Sequence, residues 1–320
     1  MEQARTARVL RGTLVVTLVL VAGSAGALGA VPDETVSLDR LLENGLQRIE
    51  AAPDDHEAYY VLGRAYSLAY ALSQQEFDVR ERSIEAAEGE DASPPPAYAL
   101  HYPEQVTRMP LVTTLTQLDE ARVHYVVDAI VYYRIARDKR PAKERTGLYD
   151  LSLGWMFEEG AKFAAEIPFP ADPTWKVPQS RRMKADRALA NLKSPNPQVR
   201  KRTQAVLMDY AGLVAADLFP LLEEAEESER AIYELVLRRA WEEQALAYYD
   251  IARDLGRKRV MRYRNYDAVA MEAAQGILAV LQTRATPTAT ERSETRKLLR
   301  EIELNTTLPR PTASDDALQP

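Results

Sequence analysis

The chain has no cysteine, only three histidines, and 13 glycines in 320 residues. Without thiols there is no disulfide, no lipid-modified cysteine and no zinc site of the Cys/His kind. Scarce glycine argues against a turn-rich β fold. No Gly-rich phosphate loop, Gly-x-Ser-x-Gly elbow or dinucleotide fingerprint occurs. Phenylalanine is rare (5) beside tyrosine (16), a choice suited to helix interfaces that are half buried and half wet. Apart from one run near the N-terminus, no stretch is long and uncharged enough to cross a bilayer.

What is present is a long series of Ala, Leu, Glu and Arg, with 46% hydrophobic residues. That is enough apolar surface for a sizeable helical core. The N-terminus has the layout of a signal peptide. Arg5, Arg8 and Arg11 give a positive start, Thr13 to Ala22 is apolar, and Gly23-Ser24-Ala25-Gly26-Ala27 offers small residues for cleavage near Ala27. The expected location is periplasmic or secreted. A retained anchor is the alternative, because 13–30 just spans a hydrocarbon layer of about 30 Å. Otherwise no membrane span is expected after signal cleavage. Removing 1–27 leaves 38 Lys+Arg and 47 Asp+Glu, a net charge of −9 (41 − 3 and 48 − 1). An acidic exported chain is a poor nucleic-acid binder. Basic clusters at Arg181-Arg182-Met183-Lys184, Arg200-Lys201-Arg202 and Arg257-Lys258-Arg259 read as solvated helix ends, where cations favour C-termini; an anion or phospholipid patch is the alternative.

Hydrophobic periodicity predicts helices at 37–52, capped by Ser37 and stopped by Pro53, and at 56–72. Residues 73–110, with Pro94-Pro95-Pro96, Pro103 and Pro110, read as an irregular insertion. A helix at 115–139, apolar nearly all round from Val123 to Ala136, is expected at the centre of the core. Another follows at 145–166, then a second insertion at 167–179 around Trp175. Helices resume at 180–192, 196–226 (broken), 228–255, 265–283 and 289–303. The tail 306–320 is expected to be disordered. The predicted organisation is a signal peptide at 1–27, one helical domain at 28–305, and the tail.

Two segments repeat. Ala129-Ile130-Val131-Tyr132-Tyr133-Arg134-Ile135-Ala136-Arg137-Asp138 and Ala245-Leu246-Ala247-Tyr248-Tyr249-Asp250-Ile251-Ala252-Arg253-Asp254 agree at seven of ten positions, 116 residues apart. Small residues let a neighbouring helix approach closely, and the aromatic fills the space beside them. Ala129, Tyr133, Ala136 and Pro141 stand at the spacing of the second helix of a tetratricopeptide repeat (TPR). Tyr59-x-x-Leu62-Gly63-x-x-Tyr66 resembles that family's first helix, and Leu153-Gly154 with Phe157 resembles a second copy in which Asp150 replaces the leading aromatic. The resemblance covers 37–72, 118–165 and 228–255. It departs from the family's gap-free period of ~34 residues, since each first-type helix is followed by an insertion. The implied fold is all-α, with TPR-like antiparallel helix hairpins and proline-rich insertions. The implied function is non-enzymatic binding of a protein or peptide partner along the first helices, where Tyr60, Arg64, Ser67, Trp155 and Glu159 would face the groove. Tyr60 and Arg64 occupy the places of the Lys/Asn clamp for C-terminal carboxylates, so that clamp is absent. Packing between helices is the competing role for Trp155. Asn196-Pro197-Gln198-Val199-Arg200 resembles the turn into the second helix of a HEAT repeat, or is an ordinary helix start.

Glu120, His124 and Asp128 share one helical stripe and could offer three metal ligands, but no Glu-x-x-His pair of a diiron bundle occurs. A structural role is expected instead, with Asp128 paired to Arg122 or Arg134 because an acid in an apolar run needs a partner. Glu158-Glu159 beside Trp155 and Glu242-Glu243 beside Trp241 could form a glycan cleft, or be solvated helix faces. The expectation is therefore a scaffold without cofactor or metal. The alternatives are a glycan-directed envelope enzyme and a structural subunit of an obligate envelope complex.

Overall fold

The computed structural model describes residues 33–72, 76–81, 98–100, 118–144, 147–170, 178–257, 268–284 and 287–307. The proposed signal peptide, the tail beyond Thr307, Trp175 and most of the 73–110 insertion lie outside them. The protein is all-α: ten α-helices among the described residues carry the structure, accompanied by one small sheet.

The helices begin where local chemistry favours them. Ser37 caps α1 (Leu38–Ala51), its hydroxyl accepting from the Arg40 N–H. α2 spans His56–Leu72. Asp119 caps α3 (Glu120–Lys139) at 2.8 Å from the Arg122 N–H. Gly147, at φ 77°, turns the chain into α4 (Leu148–Lys162). α5 spans Gln179–Leu192. Asn196 caps α6 (Pro197–Asp209) with Pro197 in the first turn, an ordinary helix start. α7 (Ala211–Leu218) runs on into a 3-10 turn at Phe219–Leu222, so the broken helix predicted over 196–226 is observed as α6, α7 and that turn. α8 (Glu227–Arg257), α9 (Ala268–Thr283) and α10 (Ala289–Thr307) complete the series.

Strands were not expected. β1 (Asp33–Ser37) pairs antiparallel with β2 (Glu76–Glu81), and β2 with β3 (Tyr98–Leu100). Two of the three strands fall inside the segment read as an irregular insertion. Its prolines lie outside the strands, so they did not prevent pairing.

The helices pack as two principal pairs. In the first, α2 and α3 run antiparallel: Lys139 bonds Asp54 at 2.9 Å, Tyr133 meets Ser67, and Tyr125 meets Tyr66. In the second, α4 runs antiparallel to α8, with Gly154 against Tyr249 and Gly160 against Trp241. Between α4 and α8 in sequence lie α5, α6 and α7. That intervening block contributes to the 116-residue offset between the two repeated segments, which sit in α3 and α8. α9 packs on α8, and α10 packs on α9.

One contact recurs in both pairs. A methyl group added at Gly63 would stand 2.6 Å from the Tyr133 ring, and one at Gly154 would stand 2.5 Å from the Tyr249 ring. Both tyrosines are almost wholly buried. Each ring lies directly on helix backbone, in space that only a missing Cβ provides. Tyr249 is held from its other side by Gly276 of α9, so one ring fixes three helices.

The helix expected at the centre is not the most central one. α3 buries Val126, Ala129, Ile130, Tyr133 and Ala136 but leaves Val131 41% exposed. α4 is covered on all sides, with twelve of its fifteen residues buried. It lies between α3, α8 and α9, and it touches α2 through Tyr149 and Ser152. The second insertion also begins as core. Ile167 and Phe169 are buried, Phe169 packs on Phe157 and Trp241, and the Pro170 carbonyl accepts from Arg134 at 2.8 Å.

Charge closes the C-terminal end. Arg284, buried at the end of α9, donates to Glu242 of α8 at 3.1 Å and pairs with Glu291 of α10. Arg239 bridges Glu243 at 2.8 Å and Glu291 at 3.3 Å. Thr288 and Glu291 form a reciprocal cap: the Thr288 N–H donates to the carboxylate, and its hydroxyl accepts from the Glu291 N–H. Burial pushes the Glu291 carboxyl up, but the Thr288 backbone bond, Arg284, the Thr288 hydroxyl and Arg239 together hold it down at about 2.

Two outcomes follow from this packing. Gly154→Ala should lower stability by about 1–3 kcal/mol in chemical denaturation, because overpacking against a buried ring outweighs the gain of about 1 kcal/mol that alanine brings to a helix; a more stable variant would show that the ring is free to move aside. Glu291→Gln should cost about 2 kcal/mol at pH 7. The carboxyl's folded pKa lies below the unfolded value of about 4.3, so its stabilisation is present above that value and is lost as pH falls toward 2. Denaturation curves of variant and parent should therefore converge near pH 2; a gap that persists there would place the loss in packing, not charge.

Candidate functional site

The five residues expected to line a groove come from α2 and α4, and the structure brings these helices side by side. They run in the same direction, with His56 and Tyr60 at one end against Tyr149 and Ser152, and Tyr70 at the other against Glu159. The Tyr60 ring stacks on Tyr149 at 4.5 Å between centroids and leans on Tyr133 at 5.2 Å. Its hydroxyl shares a 3.2 Å hydrogen bond with Ser152. Ser67 shares one of 2.8 Å with the Tyr133 hydroxyl. His56 Nδ1 lies 2.9 Å from the Tyr149 hydroxyl.

Burial decides what these groups can do. Tyr60, Ser67, Trp155 and Glu159 are buried, and Arg64 alone is half-buried. The four buried residues bind their own chain instead of facing solvent, so the role left as the competing one for Trp155 describes its position. Its indole Nε1 is buried without a hydrogen-bond partner among the described residues, as is that of Trp241. Arg64 sits close enough to Tyr60 and Tyr133 to oppose the effect of burial on both. Burial nonetheless raises both phenols, and it lifts Tyr149 to about 12. These tyrosines stay protonated at neutral pH and serve as hydrogen-bonding groups, not bases.

The carboxylate pairs are not solvated faces. Glu159 is 1% exposed, accepts from Lys162 at 2.6 Å, and accepts from the Tyr70 hydroxyl at 3.3 Å. Glu158 accepts from the Tyr249 hydroxyl at 2.6 Å. Glu242 is buried between Arg238 and Arg284, and Glu243 holds Arg239. Burial raises Glu159 and Glu243, opposed chiefly by Lys162 and Arg239 respectively. Three of these acids carry a cationic partner and Glu158 a tyrosine hydroxyl, so what the arrangement does is join helices.

Asp150 stands in place of the leading aromatic of the second motif copy. It is buried and accepts from Arg137 of α3 at 2.6 Å, tying the first helix pair to the second. Arg137 also lies over the Tyr248 ring of α8 at 5.5 Å. The aromatic missing at position 150 is supplied one residue earlier by Tyr149, which stacks on Tyr60 and lies under Arg140 at 4.8 Å. The adjacent tyrosine was visible in the sequence; its rotation onto the neighbouring helix was not.

The arginines expected to neutralise Asp128 are engaged elsewhere. Arg122 turns back to Asp119, and Arg134 reaches the Pro170 carbonyl and the Tyr248 hydroxyl. Among the described residues no group of three His, Asp or Glu side chains is placed to hold a metal ion. The basic clusters at 181–184 and 200–202 lie toward the N-terminal ends of α5 and α6, not at C-terminal ends. Arg182 is held there by Asp217 and the Leu213 carbonyl, and Arg200 by the Ser194 and Pro195 carbonyls. Most of the cluster at 257–259 lies outside the described residues. No single described helix is long and apolar enough to cross a membrane; α6 with the α7 segment passes by length and composition together, bent by 108°.

The fold and this seam define a class, an all-α protein whose helix pairs are joined by buried tyrosines and ion pairs. In comparison with known proteins, the chain matches no protein-family model, no curated protein and no solved structure.

Glu159 gives the seam a testable signature. Its folded pKa is raised by burial, so the folded state holds its proton more tightly than the unfolded state. Its contribution is most favourable below the unfolded value and diminishes as pH rises through the folded one. Glu159→Gln, a neutral isostere, should therefore gain melting temperature relative to the parent at pH 8 and show no gain at pH 4. An equal change at both pH values would mean that Lys162 fully offsets burial.

Proposed function

We propose that the protein is a non-enzymatic scaffold of the cell envelope that binds a protein or peptide through TPR-like helix pairs. The observation that carries this reading is the repeated lock of tyrosine on glycine, Gly63 with Tyr133 and Gly154 with Tyr249. All four residues belong to the segments that resemble the first and second helices of that family. Repeats of this kind stack helices to build extended surfaces, and surface recognition is their usual product. Export rests on the arrangement of charge, apolar run and small residues in 1–27.

The buried seam shifts where recognition would occur. A peptide laid on Tyr60, Ser67, Trp155 and Glu159 would have to displace contacts within the chain itself. The half-buried sides of α2 and α3 are the more accessible surfaces, with Arg64 among them. The carboxylates that an enzyme of glycans would need are engaged by arginine, lysine or tyrosine, which supports a binding role over hydrolysis.

The test combines two assays on the full chain. Peptides of varied charge are titrated by fluorescence anisotropy, and cell-wall fragments are incubated and assayed for new reducing ends. Saturable peptide binding with no turnover is expected. Turnover that disappears in Glu159→Gln or Glu243→Gln would replace the scaffold with an enzyme. Stoichiometric co-purification of one envelope protein, without binding of any free peptide, would favour a fixed subunit instead.

A further inference from the structure

One patch on α2 and α3 is built unlike the rest of the surface. Tyr66 of α2 stacks on Tyr132 of α3 at 5.7 Å, with the planes 11° apart, and tilts toward Tyr125 at 6.0 Å. Asp128 stands one helical turn from both Tyr125 and Tyr132; burial pushes the Tyr66 phenol up to about 12 and raises that of Tyr132, and nearby Asp128 adds to both. Tyr59 borders the same group beside Tyr132. All five are half-buried, while His124 and Val131 beside them are exposed.

The carboxylate is the unusual member. Glu159, Glu242, Glu243, Glu291 and Asp150 each meet a lysine or arginine. Burial raises the Asp128 carboxyl, and among the described residues only His124 opposes it. The two arginines nearest in sequence are turned to Asp119 and to Pro170 and Tyr248. A partly desolvated acid among tyrosine faces is costly as it stands. It is stabilised when a cation sits over the rings and against the carboxylate.

We propose that the patch formed by Tyr66, Tyr125, Asp128 and Tyr132 receives a lysine or arginine side chain from a basic segment of the protein partner. Charge complementarity selects that occupant: the acid meets no lysine or arginine among the described residues, the rings present negative faces, and the whole chain is acidic. The inference rests on the scaffold reading and names the chemistry of its partner.

The test titrates a fluorescein-labelled hexa-arginine peptide into the full chain at 150 mM salt and follows anisotropy. Hexaglutamate and phosphocholine vesicles are run in parallel. Asp128→Asn keeps the shape of the side chain and should weaken hexa-arginine binding about tenfold. Tyr132→Leu should weaken it as well. Glu234→Gln, which removes an exposed charge on α8, should leave it unchanged. Equal binding by Asp128→Asn and the parent would overturn the site while leaving the scaffold reading in place. Equal losses in Asp128→Asn and Glu234→Gln would reduce the effect to general attraction and also overturn it. Vesicle capture that depends on Asp128, without peptide binding, would replace the basic segment with a choline headgroup. Failure of peptides of every charge to bind would sink both readings together.

Discussion

The structure depends on a tyrosine ring lying flat against helix backbone where a side chain is missing. Helices with ordinary side chains keep their axes about 8–10 Å apart. A glycine at the crossing removes the one atom that would otherwise hold a large ring away. The ring then occupies the gap and contributes its whole buried surface. Tyr249 does this from both sides, between Gly154 and Gly276, and so sets the spacing of α4, α8 and α9 at once. Tyr133 does the same for α2 and α3 through Gly63, and its hydroxyl finds Ser67. Tyrosine suits this position better than phenylalanine because the hydroxyl reaches the far edge of the contact, where a polar partner can be placed.

A second layer of constraint is electrostatic. With no disulfide available, helices are cross-linked by buried or half-buried charge: Arg137 to Asp150, Arg239 to Glu291, Arg284 to Glu242 and Glu291. Such pairs gain little net stability over apolar packing, since desolvation offsets most of the attraction. They do fix register. A helix shifted by one turn would leave a charge buried without its partner, which costs far more than the correct pairing gains. Apolar contacts draw the helices together, and the ion pairs select one arrangement among several of similar apolar area.

Much of this could be read before the fold was in hand, and the reasons differ by feature. Helix positions were legible because apolar spacing and caps are local. Ser37, Asn196 and Pro53 mark boundaries wherever the helix is placed. The equivalence of 129–138 and 245–254 was legible because close packing demands the same small and aromatic residues twice. The sheet was not, since β2 and β3 lie among prolines and pair over long separations. α3 is less central than its apolar residues on nearly all sides led one to expect, because one side of it, with Val131, faces solvent. Asp150, Glu159 and Glu242 read as polar, yet each is buried beside a cation from elsewhere in the helix or from another helix. Burial of a charge depends on a partner that the local sequence does not reveal.

The same reasoning explains why the expected groove residues became a seam. In a stack with first helices side by side, a side chain between them faces a partner only if the helices diverge. Here Tyr149 stacks on Tyr60, Ser152 bonds it, and Tyr70 reaches Glu159, so long tyrosine side chains close the space between α2 and α4 near both ends. Each of those contacts satisfies a polar group that an open groove would have left to solvent or ligand. Recognition then falls to surfaces where satisfaction is incomplete, and the contrast between acids is informative there. Where Glu159 and Asp150 are neutralised from within, Asp128 meets two tyrosine rings and a histidine at a half-open face. An interior whose buried acids are held by cations makes an acid at its edge, met by no lysine or arginine among the described residues, the physical place to seek a partner.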